Sequence, residues 1–187
     1  MFEQTINDHI SCIKNLADIK EIIIKAGEML TTSLEKGNRI LICGNGGSAA
    51  DSQHFAAEIV GRFEKERTAW PALALTTDTS IITAIANDYT YDDIFSRQVE
   101  GLGASGDIII GISTSGNSKN VIHAINKAKN MGINTIALLG NDGGQLNNCA
   151  DLAVTVSSTV TARIQEAHIF ILHFWAKMIE QYFTNES

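Results

Sequence analysis

Five short runs of this chain are apolar almost from end to end: Arg39–Cys43, Ala72–Leu75, Asp107–Ile112, Thr135–Leu139 and Leu152–Val156. A strand with one wet face alternates polar and apolar residues. Strands that are apolar throughout are buried on both faces, which is the condition of a parallel sheet covered by helices. Segments of helical period fill the intervals. Ile6, Ile10, Ile13 and Leu16 recur every three or four positions, and a second such pattern runs from Ile22 to Leu34 and stops at Gly37-Asn38. Others cover Ser48–Val60, Ser118–Asn130 and Thr161–Phe183. The expected fold is α/β: a three-layer sandwich with a five-stranded parallel sheet flanked by helices, preceded by N-terminal helices. The last helix is apolar nearly all round (Ile164, Ala167, Ile171, Leu172, Trp175, Ile179), so it is expected to meet another subunit as well as its own sheet.

Composition narrows the function. With 187 residues, 44% hydrophobic and 19% charged, the chain can bury a core. Its net charge of −7, with no block of Lys or Arg, argues against a nucleic-acid partner, because such binding needs many cationic contacts. Cys12, Cys43 and Cys149 form no CxxC pair and no disulfide framework, which fits a reducing cytoplasm. Met1–Leu16 lacks the basic start of a signal peptide, and Ile169–Ala176 is too short and is interrupted by His173, so no membrane association is expected.

Parallel sheets bind ligands at the carboxyl ends of their strands, and the glycines gather there. Gly44-Asn45-Gly46-Gly47-Ser48 joins the first strand to a helix. It is neither GxGxxG nor a P-loop, so no nucleotide cofactor is expected. It reads equally as a ligand loop or as a tight turn in which Ser48 and Asp51 form a capping box. Ser113-Thr114-Ser115-Gly116-Asn117-Ser118 follows the third strand. Four hydroxyls at a helix start exceed what a cap by Asn117 or Ser118 requires, and they suit a phosphate monoester held by neutral dipoles. His54 and Glu58 share a helix face. Gln165 and His173 share a broad face of the last helix, about 80° apart. These four can form a metal site or an acid–base pair, or His173 can be a satisfied core residue. His9 and His123 read as surface residues.

With these residues assembled, the chain resembles the bacterial phosphoheptose isomerases of the SIS (sugar isomerase) domain superfamily. The likeness rests on CGNGGSAADSQHFAAEIVGRF, LTTDTSIITAIANDYTYDDIFSRQV, GDIIIGISTSGNS and RIQEAHIFILH, and runs almost end to end. It implies one SIS-type domain over residues 1–187, with 1–36 as a helical extension packing in a homotetramer whose active sites lie between subunits. It implies phosphate contacts at Ser113, Thr114, Ser115 and Ser118, with Ser48 close by. It places sugar contacts at Asn45, Gly46, Gly47, Glu58, Asn87, Asp88 and Gln165, with Arg62 approaching the sugar phosphate. Metal ligands fall on His54, Glu58, Gln165 and His173, holding one zinc per subunit, and the acid–base pair on Glu58 and His173. Ala162 stands where several members carry Asp.

The implied reaction converts sedoheptulose 7-phosphate into glycero-manno-heptose 7-phosphate through an enediolate, the first step towards heptose precursors of lipopolysaccharide or other surface glycans. Glu58 and His173 would act on one sugar from different subunits. The rival reading is a non-catalytic SIS module, either a sugar-phosphate sensor or a protein assembling around the bacterial replication initiator (DnaA). A phosphate-binding module needs none of His54, Glu58, Gln165 and His173, so their joint presence favours the enzyme. A five- or six-carbon ketose phosphate as substrate shares the same chemistry.

Overall fold

A computed structural model describes residues 1–185. Helices α1 (Phe2–Asn15) and α2 (Lys20–Glu35) lead into strand β1 (Ile40–Gly44), then α3 (Gly47–Val60) and β2 (Ala72–Ala74). Helices α4 (Thr79–Asp88) and α5 (Ser96–Leu102) precede β3 (Ile108–Ser113) and α6 (Lys119–Asn130). β4 (Asn134–Gly140), α7 (Leu146–Cys149), β5 (Leu152–Val156) and the long α8 (Thr161–Asn185) complete the order.

All five strands are parallel, in the order β2-β1-β3-β4-β5. Every residue of the central strands β1 and β3 is buried, whereas the edge strands β2 and β5 are partly exposed. One face of the sheet packs against α1, α2, α3 and α8 through residues such as Leu30, Phe55, Ile164 and Trp175. The other packs against α4–α7 through Phe95, Val99, Val121, Ile125 and Leu146. The connection from β1 runs outward to β2 and that from β3 runs the opposite way to β4. The chain therefore switches direction between β1 and β3, which opens a crevice at their carboxyl ends. Gly44 and Ser113, the residues ending these strands, stand beside it.

Three helices were not legible in the sequence. α4 buries no side chain fully: Ile82, Ile85 and Ala86 pack part-buried against the core and Ile81 is 37% exposed, so its inward stripe is weak. α5 and α7 span seven and four residues, too few for a 3.6 period to register. In the N-terminal segment, α2 places Ile23, Ala26, Leu30 and Leu34 in the same core as the sheet, so it is a layer of the domain itself. α1 is tied to α8 by His9 Nδ1 on Glu166 (2.7 Å), with Arg163 bridging Glu166 and the Thr5 carbonyl. His9 and His123 are thus not idle surface groups. His123 Nδ1 meets Asp93 at 3.2 Å and joins the turn after α4 to α6.

Candidate active site

Two loops line the crevice. After β1 the chain turns at Gly46, whose φ of +56° favours glycine, and α3 begins there without a side-chain cap. The capping-box alternative therefore fails: Ser48 is buried and Asp51 keeps a buried, unpartnered Oδ2. Burial pushes the Asp51 carboxyl up to about 6, against the opposing effect of His54. Gly47 packs closely under α8: a methyl group there would overlap the Gln165 carboxamide, which would have to move aside. That close approach brings α8 onto the glycine loop.

The second loop also leaves its hydroxyls free of capping duty. Ser118 is the N-cap residue of α6, yet its side chain makes no cap bond and lies 2.9 Å from Ser113 Oγ. Asn117 turns its amide to the Ser115 carbonyl (2.9 Å) and accepts from Gln145 N–H (3.1 Å). The loop is braced from behind by the turn after β4. Gly116 has φ +66° and presses on Gly143, Leu146 N–H donates to the Gly116 carbonyl, and Asn141 Nδ2 donates to the Thr114 carbonyl. The α6 N-terminus without a side-chain cap and the paired Ser113 and Ser118 hydroxyls are donors of the kind that hold a phosphate dianion.

A third element comes from tertiary packing. α3 and α8 bring His54, Glu58 and His173 together, with one ligand atom from each lying within 4.8 Å of the others. His54 Nε2 is 3.0 Å from Glu58 Oε1 and 3.3 Å from His173 Nε2. The rings meet edge to face with centroids 4.9 Å apart, and Phe63 backs His173 at 5.5 Å. Burial lowers the pKa of His173, neighbouring His54 adds to the effect, and Glu58 opposes it. The three groups converge within a single chain.

This donor set fits a cation. Two nitrogens bound to one tetrahedral ion at about 2.0–2.1 Å lie about 3.3 Å apart, the separation found here. Facing Nε2 atoms plus a carboxylate offer three acceptors, which a single shared proton cannot satisfy and an ion can. Gln165 stands two turns before His173, about 12 Å along α8, with its amide over Gly47.

Other expected residues are placed as follows. Asn87 and Asp88 close α4, exposed and bonded to each other at 2.8 Å, with no hydrogen bond to either loop among the described residues. Arg62 lies beyond α3, exposed, with Nε 3.8 Å from Glu66. The sequence reading missed Arg67. Its guanidinium donates to the carbonyls of Glu58, Ile59 and Gly61 and stacks on Trp70, closing the end of the helix that carries Glu58. Buried Glu180 faces Arg67 at 3.6 Å and accepts from the N–H groups of Phe63, Glu64 and Lys65. Asn120 and Tyr91, which grip Asn45, were missed too. The polar Asn120 buried in the first turn of α6 was the available signal.

The fold and this crevice are those of an SIS domain, and residues 3–140 match that family. The chain is 51% identical over 174 residues to the phosphoheptose isomerase of Helicobacter pylori (strain Shi470), covering 93% of this chain and 91% of that one. Among solved structures, the phosphoheptose isomerase of Neisseria gonorrhoeae superposes with a TM-score of 0.87 at 42% identity, covering 97% and 100% of the two chains. That of Francisella tularensis gives 0.89 at 36% identity, covering 97% and 99%. The chain belongs to the phosphoheptose isomerase family and is a ketose–aldose isomerase. Among the described residues no helix is long and apolar enough to cross a membrane.

Proposed function

We propose that this enzyme converts sedoheptulose 7-phosphate into glycero-manno-heptose 7-phosphate. The observation that carries the reading is the convergence of the Glu58 carboxylate with the His54 and His173 imidazoles, in a chain that also carries the braced hydroxyl loop 113–118 at the carboxyl end of β3. A ketose becomes an aldose when a proton leaves C1, the electrons of that C–H bond form the C1–C2 double bond and the C2 carbonyl π pair moves onto its oxygen, which is protonated. The C1 hydroxyl then gives up its proton, its electrons form the C1 carbonyl, and the C1–C2 π pair takes a proton at C2. Glu58 and His173 serve as the proton-transfer pair, each worth about 10²–10⁴-fold. An imidazole can accept a proton and return it, and the part-buried setting of His173 disfavours keeping the charge. Ser113, Thr114, Ser115 and Ser118 hold the phosphate and convert its binding energy into orientation of the reacting end. Asn45, Gly46, Gly47, Ser48, Gln165, Asn87, Asp88 and Arg62 complete the substrate contacts in this reading.

We assign the metal position to His54, Glu58 and His173, with Gln165 as a fourth ligand, and zinc as the ion, one per subunit. When bound, it supplies a Lewis acid for the sugar oxygens. The working unit is a homotetramer. Support for assembly comes from Phe2, Ile6 and Ile10 of α1 and Phe170 and Phe174 of α8, all at least 36% exposed, with Ile81 of α4 also exposed. We infer a cytoplasmic location from the free cysteines, of which Cys12 and Cys43 are buried. The product feeds heptose precursors of surface glycans.

The test is direct. Sedoheptulose 7-phosphate is incubated with the protein, with and without Zn²⁺, and the aldose is followed by NMR beside five- and six-carbon ketose phosphates. The aldose heptose phosphate is expected, formed faster than the shorter aldoses. No turnover at high protein concentration would remove the enzyme reading and leave a sugar-phosphate binder.

A further inference from the structure

Asn45, the residue between strand β1 and Gly46, is gripped from two sides. Its Nδ2 donates to Asn120 Oδ1 at 2.9 Å, and Asn120 Nδ2 donates back to Asn45 Oδ1 at 2.8 Å. Tyr91 Oη also donates to Asn45 Oδ1, at 3.1 Å. A reciprocal amide pair is self-consistent in either sense, because flipping both amides restores two bonds. One backbone group removes that freedom. Val121 N–H donates to Asn120 Oδ1 at 3.0 Å, so an amino group cannot occupy that position. The sense of Asn120 is thereby fixed, Asn120 fixes Asn45, and the Tyr91 hydroxyl is left as a donor. Asn120 is only 2% exposed, which denies it the water that could compensate a reversed amide.

Counting the capacity of Asn45 gives the consequence. Both lone pairs of Oδ1 are engaged and one of its two N–H groups is engaged. A single N–H remains, with no partner among the described residues, on a loop beside the crevice. A free carboxamide can donate to or accept from a polyol, and this one can only donate. A fixed donor favours an oxygen that gains negative charge during enolisation, and it needs no reorientation when that charge develops. Tyr91 is itself anchored: neighbouring Asp93 bonds Thr90 (2.7 Å) and His123 of α6 (3.2 Å). The turn after α4 is therefore a strap reaching across to the glycine loop.

We propose that Tyr91 and Asn120 are positioning residues that lock the Asn45 amide as a one-hydrogen donor to a sugar oxygen of the substrate. The inference rests on the isomerase reading above. It is tested by a double-mutant cycle on kcat/KM with sedoheptulose 7-phosphate, using Tyr91→Phe, Asn45→Ala and the pair. Tyr91→Phe removes one neutral hydrogen bond from an exposed site, so kcat/KM should fall about two- to tenfold with Tm unchanged. In the Asn45→Ala background the same change should have no further effect. Asn120→Asp, which keeps the acceptor for Val121 N–H and removes the donor to Asn45, should lower kcat/KM at least as far as Tyr91→Phe. An undiminished effect of Tyr91→Phe in the Asn45→Ala background overturns the proposal, as does no effect in the parent. A parent chain without turnover overturns the isomerase reading and this inference together, and is thus distinct from failure of the lock alone.

Discussion

The 113–118 loop and the His54–Glu58–His173 cluster lie on opposite terms with the rest of the molecule. The loop is satisfied from within and from behind: Ser113 pairs with Ser118, Asn117 with Ser115, and the β4–α7 turn bonds the Gly116 and Thr114 carbonyls. It is a receptacle that needs no rearrangement to accept an anion. The cluster is a convergence of acceptors that its own protons do not fully satisfy. Rigidity suits the part that binds a group unchanged by the reaction. Unmet coordination capacity suits the part that holds an ion and moves protons. The two regions should accordingly respond to mutation in different currencies, the cluster in rate and the loop in affinity and stability.

The largest separation is expected from the cluster. Glu58→Gln and His173→Gln should each lower kcat by at least about 10²-fold, with the far-UV spectrum and Tm retained. Each should also weaken Zn²⁺ binding measured by calorimetry. A variant that kept its rate would break the contrast at its strongest point. Removing the brace behind the cluster should instead cost stability: Arg67→Ala leaves buried Glu180 without its cation, held by three backbone N–H groups, for up to about 3–5 kcal/mol in urea unfolding.

On the loop side, Gly116→Ala forces a side chain onto a φ of +66° and against the Gly143 carbonyl. It should lower stability by at least about 1–3 kcal/mol and raise KM with little change in kcat. Ser113→Ala removes one hydroxyl of the cradle and should raise KM up to about tenfold at constant kcat, read from initial rates. A fall in kcat alone for either variant would assign the loop to the chemical step.

The last effect is one of pH. His168, buried on α8 with Nε2 2.9 Å from the Leu139 carbonyl, has its pKa lowered to about 4, chiefly by burial. The unfolded chain binds this proton near pH 6.5 and the folded chain does not. Its contribution is therefore complete above pH 6.5 and declines as pH falls towards 4, by about 3 kcal/mol in all. In His168→Gln the slope of unfolding free energy against pH should flatten across that window.

The sheet was legible because β1, β3 and β4 are buried on both faces and read as unbroken apolar runs. Strand β5 fell at its expected limits, Leu152–Val156. The hydroxyl loop was legible because its parts are adjacent in sequence. The cluster was legible only as two pairs, His54 with Glu58 and Gln165 with His173, because helical spacing reports one helix at a time. Which helix faces which is decided by tertiary packing, here the close approach of α8 to Gly47. The Asn45–Asn120–Tyr91 lock and the Arg67–Glu180 brace were invisible for the same reason, and α4 because its inward face, Ile82, Ile85 and Ala86, is only part-buried.

The central claim is that this crevice isomerises a ketose phosphate by moving a proton through solvent-exchangeable groups. Turnover of sedoheptulose 7-phosphate in D₂O, with the aldose product read by NMR, tests it most directly. Deuterium should appear at C2 of the heptose phosphate in the parent enzyme, and both exchange and product should vanish in Glu58→Gln. Product formed with no deuterium at C2, or deuterium incorporated equally well by Glu58→Gln, would contradict the account.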